Sequence, residues 1–244
     1  MFEGMYAAAS GMAAQQEQLD AIGNDLANAS TTGYRTERVG FRDLLYNQIQ
    51  QAGTETTVGA GAAANVIGFD QSQGSIQSTG DPLDLAIEGD GYFTVQQPGG
   101  GTALTRDGAF QVDAQGRLIT AQGALLQPPI TLPSGVSPSE VSIAPDGTVT
   151  GPRGAPLGRI GLVTVPAPEH LLAAGGSLFT TTTASGAARP LEGSTIHQGA
   201  LEASNVDLGT EMTQLMSTQR AYQLASSAIQ NEDQMLSIAN QLVT

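Results

Sequence analysis

The chain has 244 residues, of which 40% are hydrophobic and 13% charged, and its formal net charge at pH 7 is −14. This length gives room for one large domain or two smaller ones with a buried core. The acidic balance, with nine scattered arginines and no lysine, argues against a nucleic-acid-binding protein. The absence of cysteine excludes a disulfide framework and a thiolate metal site.

The N-terminal segment from Glu3 to Asn28 is predicted to be one long α-helix. It contains no proline, and an apolar residue recurs in every seven, at Met5, Met12, Leu19 and Leu26. Since a seven-residue repeat favours packing against a partner helix, these four positions are predicted to lie at an assembly interface. The same segment lacks the basic start and continuous apolar run of a secretory signal, so we expect no cleaved signal peptide.

The end of this helix carries amides beside its apolar stripe. Asn24 and Asn28 lie four residues apart and so share a helical face. Amides at a contact between helices specify the register, because a misaligned neighbour leaves them unpaired. Both are therefore predicted interface residues, and Gly33 is predicted to turn the chain out of the helix through a positive φ.

The middle of the chain changes to a period of two. Apolar and polar residues alternate in short runs such as Leu83–Glu88 and Thr148–Thr150, separated by Asp-Gly and Gly-Asp turns. Residues 69–200 are therefore predicted to form one mostly antiparallel β domain. Residues 49–68, which contain the stretch GTETTVGAGAAAN, are predicted to be a flexible connector.

The C-terminal segment, residues 201–244, repeats the helical pattern over a greater length. Its seven-residue series comprises Leu208, Leu215, Tyr222, Ile229, Leu236 and Val243. Asn205 or Asp207 is the predicted N-cap. We count Asn205 and the series from Leu208 to Leu236 as predicted assembly-interface residues. The predicted fold is α+β, in which residues 1–48 and 201–244 pack as a coiled-coil-like core domain and the central residues form a separate β domain.

Catalytic and metal-binding chemistry is poorly supported by the sequence. His170 and His197 have no cysteine or nucleophile elbow to pair with, and are interpreted as surface or packing residues. The acidic set between Asp81 and Asp90 is interpreted as turn residues, since its spacing is not that of a calcium loop. We therefore predict no enzyme, no metal and no cofactor. A secreted or surface β-domain protein, carbohydrate-binding or hydrolytic, is the alternative.

Several motifs in order resemble those of flagellar rod and hook proteins. The stretches NDLAN and TGYR resemble the family's N-terminal motif, and SNVD followed by MTQLMSTQRAY resembles its C-terminal signature. The stretches PLDLAI, GYF and TRDG resemble the blocks between them. The stretch FRDLLY and the polar residues after it look most like the distal rod members, with the proximal rod members as the near alternative. The chain is short for a typical hook protein.

The resemblance implies a structural subunit that polymerises helically through its terminal helices into the axial drive shaft of the flagellum. It implies partners among copies of the same chain, other rod subunits, the hook protein, the flagellar type III export apparatus and surrounding ring proteins. It also implies a place in the basal body, outside the cytoplasmic membrane. No apolar run approaches the ~20 residues that a bilayer requires, so no integral membrane segment is expected.

Overall fold

The structure, a computed structural model, describes residues 2–44, 46–51, 54–59, 61–133, 135–191 and 193–243. The chain forms two compact units. The helical unit comprises Met1–Ala27, Glu37–Ile67 and Asp207–Thr244, and the β unit comprises Asn28–Thr36 and Gly68–Val206. An N-terminal helix, a central antiparallel β domain and a C-terminal helix confirm the predicted α+β class.

Two long helices dominate the helical unit. Helix α1 spans Phe2–Ala27 and helix α2 spans Leu208–Val243, and the two pack against each other. The N-cap of α2 is Asp207, whose Oδ1 accepts a hydrogen bond from the Thr210 N–H at 2.8 Å and so pairs one otherwise free donor of the first turn. Neither helix, over the residues described, is long and apolar enough to cross a membrane.

Four strands complete the helical unit: β1 (Glu37–Asp43), β2 (Tyr46–Gln51), β3 (Thr54–Gly59) and β4 (Ala62–Phe69). Strand β1 pairs with β4, and β2 pairs with β3 in an antiparallel hairpin. Residues 49–68 were predicted to be a flexible connector, whereas their described part is mostly extended and paired. The reason is local: β3 is rich in β-branched threonine and valine, which favour strands. Residues 52, 53 and 60 of the predicted connector lie outside the described residues.

The start of β4 is held on α1 by Gly61 and Ser10. The Ala62 N–H donates to the Ser10 hydroxyl oxygen at 3.3 Å, and the Ser10 hydroxyl donates to the Ala7 carbonyl at 2.9 Å. Gly61 has φ +96°, and a Cβ there would lie 1.8 Å from the Ser10 Oγ. Only glycine fits this approach, so the composition that suggested flexibility also permits close packing.

The described residues of the β unit form sixteen short strands. In chain order they are β5 (Ile76–Ser78), β6 (Leu85–Glu88), β7 (Tyr92–Gln96), β8 (Thr102–Thr105), β9 (Phe110–Val112), β10 (Leu118–Thr120), β11 (Leu125–Gln127), β12 (Ser142–Ile143), β13 (Thr148–Thr150), β14 (Pro156–Arg159), β15 (Leu162–Thr164), β16 (Leu172–Gly175), β17 (Leu178–Thr180), β18 (Arg189–Leu191), β19 (Thr195–Gln198) and β20 (Ala200–Glu202). The largest sheet runs β16-β17-β8-β7-β11-β10-β9, with β15 joining β7 to β18. Smaller sheets pair β12-β13-β14, β6 with β19, and β5 with β20.

Strand β7 lies at the centre of the large sheet and of the core. It pairs antiparallel with β8 along its length and with β11 and β15 on its other edge. Its Phe93 and Val95 are fully buried, and the Phe93 ring meets the Phe110 ring edge-to-face at 5.3 Å. The neighbouring strand β6 buries Leu85, Ala86 and Ile87 in succession. The β unit therefore satisfies its apolar side chains within its own sheets.

Candidate assembly site

The contact between α1 and α2 follows a seven-residue spacing on both helices. On α1 the most buried positions are Ala14, Ala21, Ile22 and Asp25, and on α2 they are Glu211 and Thr218. The predicted interface residues border these lines. Met5, Met12, Leu19, Leu26, Leu215, Tyr222 and Ile229 are all half-buried. Small residues at the centre of the α1 line let two backbones approach closely, which apolar periodicity alone did not indicate.

The two ends of the predicted α2 series behave differently. Leu208 keeps 52% of its side-chain surface exposed. The backbone of Leu236 is helical, but its side chain lies outside what the structure describes. Coiled-coil packing and the interface role of the whole set therefore stay predictions.

A second, exposed row of apolar side chains follows α2. Its members, called here the exposed row, are Leu208, Met212, Met216, Leu224, Met235 and Ile238. The first three are spaced four apart, and Leu224 exposes 72% of its side chain. Arg220 is also exposed and stands between Met216 and Leu224, four residues from each. So many exposed large apolar side chains along one helix are uncommon in a soluble monomer, which makes the exposed row a candidate interaction surface.

Buried carboxylates gather where α1 ends and α2 begins. Asp25 is buried, and its Oδ1 accepts the Glu37 N–H at 3.1 Å. Burial raises the pKa of Glu211, and the nearby charges of Asp25 and Asp207 raise it further. Burial, followed by the charge of Asp25, likewise raises the pKa of Glu37. Both carboxyl groups therefore bind a proton more readily than an exposed glutamate does.

The predicted register amides are engaged locally. The Asn24 Nδ2 donates to the Glu37 Oε1 at 3.0 Å, which ties α1 to β1. Asn28 ends its helix as an exit turn: its carbonyl accepts the Thr31 N–H at 3.0 Å, and its Oδ1 accepts the Thr31 hydroxyl at 3.1 Å. These bonds explain why the sequence carries asparagine here without invoking a neighbouring copy, and a register role remains a prediction.

In the β unit, a buried ion triad joins residues that the sequence separates widely. Glu202 lies between two arginines: its Oε1 is 2.8 Å from the Arg35 Nη2 and its Oε2 is 3.2 Å from the Arg106 Nη1. All three side chains are at most 4% exposed. The Gly74 N–H donates to the Glu202 Oε1 at 3.0 Å, and Arg106 lies 5.3 Å over the Tyr92 ring. Burial lowers the pKa of Arg35, and the charge of Glu202 opposes that shift.

Asn205 extends this triad to the backbone. Its Oδ1 accepts the Thr36 N–H at 2.9 Å, and its Nδ2 donates to the carbonyls of Ser72 at 3.1 Å and Asp70 at 3.3 Å. Arg35 Nη1 also donates to the Ser72 carbonyl. Asn205 is thus placed among the strands of the β unit and does not cap α2, the role that Asp207 fills. We call Arg35, Arg106, Glu202 and Asn205 the clasp.

Gly33 closes the same region. Its φ is +64°, as predicted, and its N–H donates to the Glu202 carbonyl at 2.9 Å. A Cβ at this position would lie 2.4 Å from the Asp107 nitrogen. The clasp and Gly33 together hold the first segment of the β unit, residues 28–36, to its last segment, residues 200–206.

The residues that sequence reasoning missed are charged. Glu202 and Arg220 were not singled out, and Arg35 and Arg106 appeared only as letters of motifs. The signal for Glu202 was a lone acid in an otherwise apolar strand, Ala200–Glu202, which requires a buried partner. His197 contacts the Glu88 Oε2 at 2.6 Å on the surface, in keeping with its interpretation as a surface residue. Within the described residues, no cluster of three potential ligands forms a metal site.

Comparisons with known proteins agree with these motifs. The family described as "Flagella basal body rod protein" matches residues 5–35, "Flagellar hook protein FlgE/F/G D1 domain" matches residues 86–151, and "Flagellar basal body rod FlgEFG protein C-terminal" matches residues 197–242. The chain is 39% identical to the flagellar basal-body rod protein FlgG of Caulobacter vibrioides, over 96% of this chain and 97% of that one. It is 38% identical to FlgG of Borreliella burgdorferi, over 99% of each. It is also 35% identical to FlgF of Caulobacter vibrioides, over 95% of this chain and 94% of that one.

Proposed function

The chain belongs to the flagellar basal-body rod and hook family, and on that premise we propose that it is a rod subunit that polymerises helically through its terminal helices. The family is structural, so the chain is not an enzyme. The relatives favour the structural hypothesis over a secreted carbohydrate-binding or hydrolytic protein. The polymer would be the axial drive shaft that carries torque from the motor.

The observation that carries this proposal is the exposed row of α2. From Leu208 to Ile238 it extends roughly 45 Å at 1.5 Å per residue. A monomer in water rarely leaves so long an apolar row uncovered. Helix α2 already packs against α1 with its other side. The exposed row would therefore be buried only by contact with another protein surface. Repeated copies of the chain supply that surface in a polymer.

The clasp supports the mechanical part of the proposal. The chain passes between the helical unit and the β unit after residues 27, 36, 67 and 206, and Arg35 and Glu202 lie close to the second and the last of these positions. The segments that carry Arg35 and Glu202 are joined by a buried ion triad and by the hydrogen bonds of the Asn205 side chain. Buried charge-assisted contacts have restricted geometry, and breaking one leaves an uncompensated charge. We propose that the clasp keeps residues 28–36 and residues 200–206 together under torque.

The relatives support a proposal for the position along the rod. Two of the proteins reported above carry the name FlgG and one carries FlgF, so a distal rod position is proposed, with the proximal rod as the alternative. Its partners would then be copies of itself, other rod subunits, the hook protein, the flagellar export apparatus and the surrounding rings. The proposed location is the basal body, outside the cytoplasm, reached through the type III export apparatus.

Immunogold electron microscopy of isolated hook–basal bodies tests this function. The source organism would express the chain with a short epitope tag inserted at Gly99–Gly100, an exposed turn where an added Cβ meets nothing within 4 Å. We expect gold particles on the rod, between the inner ring and the hook. Label on the hook alone, or none on basal bodies that are otherwise complete, would contradict the proposal.

A further inference from the structure

The outward side of α1 differs in chemistry from that of α2. Its exposed positions, called here the outer face of α1, are Tyr6, Ala9, Ala13, Gln16, Glu17, Asp20, Gly23, Asn24 and Ala27. Apart from Tyr6 these are small or polar, and a Cβ added at Gly23 would meet nothing within 4 Å. The outer face is therefore shallow where the exposed row of α2 is bulky, although Asn24 near its C-terminal end is bound to Glu37 of β1.

The charges of the two surfaces are opposite. Arg220 is the one basic residue in the sequences of both helices, and it stands in the middle of the exposed row. It takes part in no ion pair among the described residues. The outer face of α1 carries Glu17 and Asp20, both exposed and both without an ion pair in the described part of the chain.

Accepting the proposed rod function, we propose that the exposed row of α2 in one subunit packs on the outer face of α1 in a second copy, with Arg220 against Glu17 and Asp20. Large side chains on one helix then fill the space above small ones on the other. Pairing either surface with itself is disfavoured, because two copies of α1 would bring acids together and two copies of α2 would bring the arginines together.

This pairing has a consequence for assembly. A contact between two different faces is heterologous, so each copy keeps one free row and one free outer face after it has bound a neighbour. Such contacts propagate into an open helix unless the rotation closes a ring. The same inference assigns an ion-pair partner to Arg220, which forms no ion pair within the described residues of a single chain.

Disulfide trapping tests the pairing, because the chain contains no cysteine. Two alleles with different tags are co-expressed in the source organism, one carrying Ala13→Cys and the other Leu224→Cys or Met216→Cys, and basal bodies are oxidised after isolation. We expect mixed dimers from one of the two combinations. The Leu224 combination indicates antiparallel helices and the Met216 combination parallel ones, and either supports the pairing. Each allele expressed alone should give little dimer.

Charge reversal sharpens the test. Arg220→Glu in the α2-bearing allele should lower the yield of mixed dimer at least roughly tenfold, since like charges then face each other. Glu17→Arg with Asp20→Arg in the other allele should restore it. Arg189→Glu, an equal change at an exposed position of the β unit, serves as the control and should leave the yield unchanged. Circular dichroism of each purified variant confirms that the helices remain folded.

The outcomes separate this inference from the proposed function. Two results would overturn the pairing while gold label on the rod leaves the rod function standing. One is an equal yield of mixed dimer from Arg220→Glu and from the chain with Arg220. The other is dimers between two copies of the same cysteine variant that are as abundant as the mixed dimers. Absence of the tagged chain from the rod overturns the function, and the pairing with it.

Discussion

The β unit and the helical unit bury their apolar side chains in different ways. The β unit encloses Leu85, Ile87, Phe93, Leu118 and Leu126 in its own sheets. In the described part of the helical unit, the fully buried apolar side chains are Ala14, Ala21 and Ile22, whereas methionine and leucine side chains of α2 remain exposed. The β unit therefore encloses its core within a single chain, whereas the described part of the helical unit leaves large apolar side chains exposed, which fits the proposed assembly.

The largest effect is expected where the β unit depends on a single charge. Glu202→Gln leaves Arg35 and Arg106 buried without a counter-charge, which costs about 3–5 kcal/mol of unfolding free energy. Scanning calorimetry should show the β-unit transition shifted strongly downward. Glu88→Gln removes an exposed acid that contacts His197 and is the matched control, expected to leave the transition in place. Equal midpoints for the two variants would show that the triad does not stabilise the unit.

Gly33→Ala should have the next largest effect. The substitution places a Cβ 2.4 Å from the Asp107 nitrogen at a φ of +64°, so both strain and a steric clash oppose it. We expect a loss of about 3 kcal/mol, measured by denaturant unfolding. Gly80 has a similar φ of +78°, and a Cβ added there would meet nothing within 4 Å. Gly80→Ala therefore measures the cost of backbone strain alone, which we expect to be about 1 kcal/mol. A loss at Gly33 no larger than at Gly80 would contradict close packing at the clasp.

In the helical unit, substitution of an exposed apolar residue should impair assembly rather than the stability of the monomer. Leu224→Ser removes an apolar side chain that is already 72% exposed, so unfolding of the monomer should change by less than about 0.5 kcal/mol. Incorporation into rods should fall sharply, because the exposed row loses its central apolar contact. Quantitative blotting of isolated basal bodies measures this, with Gln223→Ser, an exposed polar neighbour, as the control. Normal incorporation of Leu224→Ser into rods would show that the exposed row is not part of the assembly interface.

The smallest expected effect concerns pH. Because burial raises the pKa of Glu211 above its ordinary 4.5, the stability linked to its protonation is fully present below pH 4.5 and is lost as the pH rises through the raised value. Glu211→Gln should therefore raise the melting temperature of the helical unit at pH 7 and change it little at pH 4.5. Glu232→Gln on the same helix is the control. An equal change at both pH values would mean that the carboxyl group is not perturbed by folding.

Much of the fold could be predicted because its signals are periodic. The seven-residue series located both helices, and alternation with Asp-Gly turns located strands such as Thr148–Thr150. The strand at 54–59 was missed because its polar threonines give no apolar alternation, and the strand at 62–69 because its alanines give little apolar pattern. The close approach of Gly61 to Ser10 leaves no periodic signal either. Pairing of such strands depends on a surface that sequence periodicity does not describe.

The site was predicted less completely than the fold. Apolar periodicity indicated that α1 and α2 have partners, but not that α2 carries a second row on its exposed side, since Met212, Met216 and Leu224 break the seven-residue series. The clasp was beyond prediction for a different reason. Arg35, Arg106 and Glu202 meet only after the β unit has folded, because they are separated by 71 and 96 residues along the chain.

Hydrogen–deuterium exchange of the full chain, as monomer and within isolated rods, tests the central claim most directly. We predict that amides of the β unit exchange equally slowly in both states, and that amides along Leu208–Val243 exchange markedly more slowly in the rod. Protection of α2 in the monomer equal to that of the β unit, with no change on assembly, would contradict the account, because the helical unit would then be complete without neighbours.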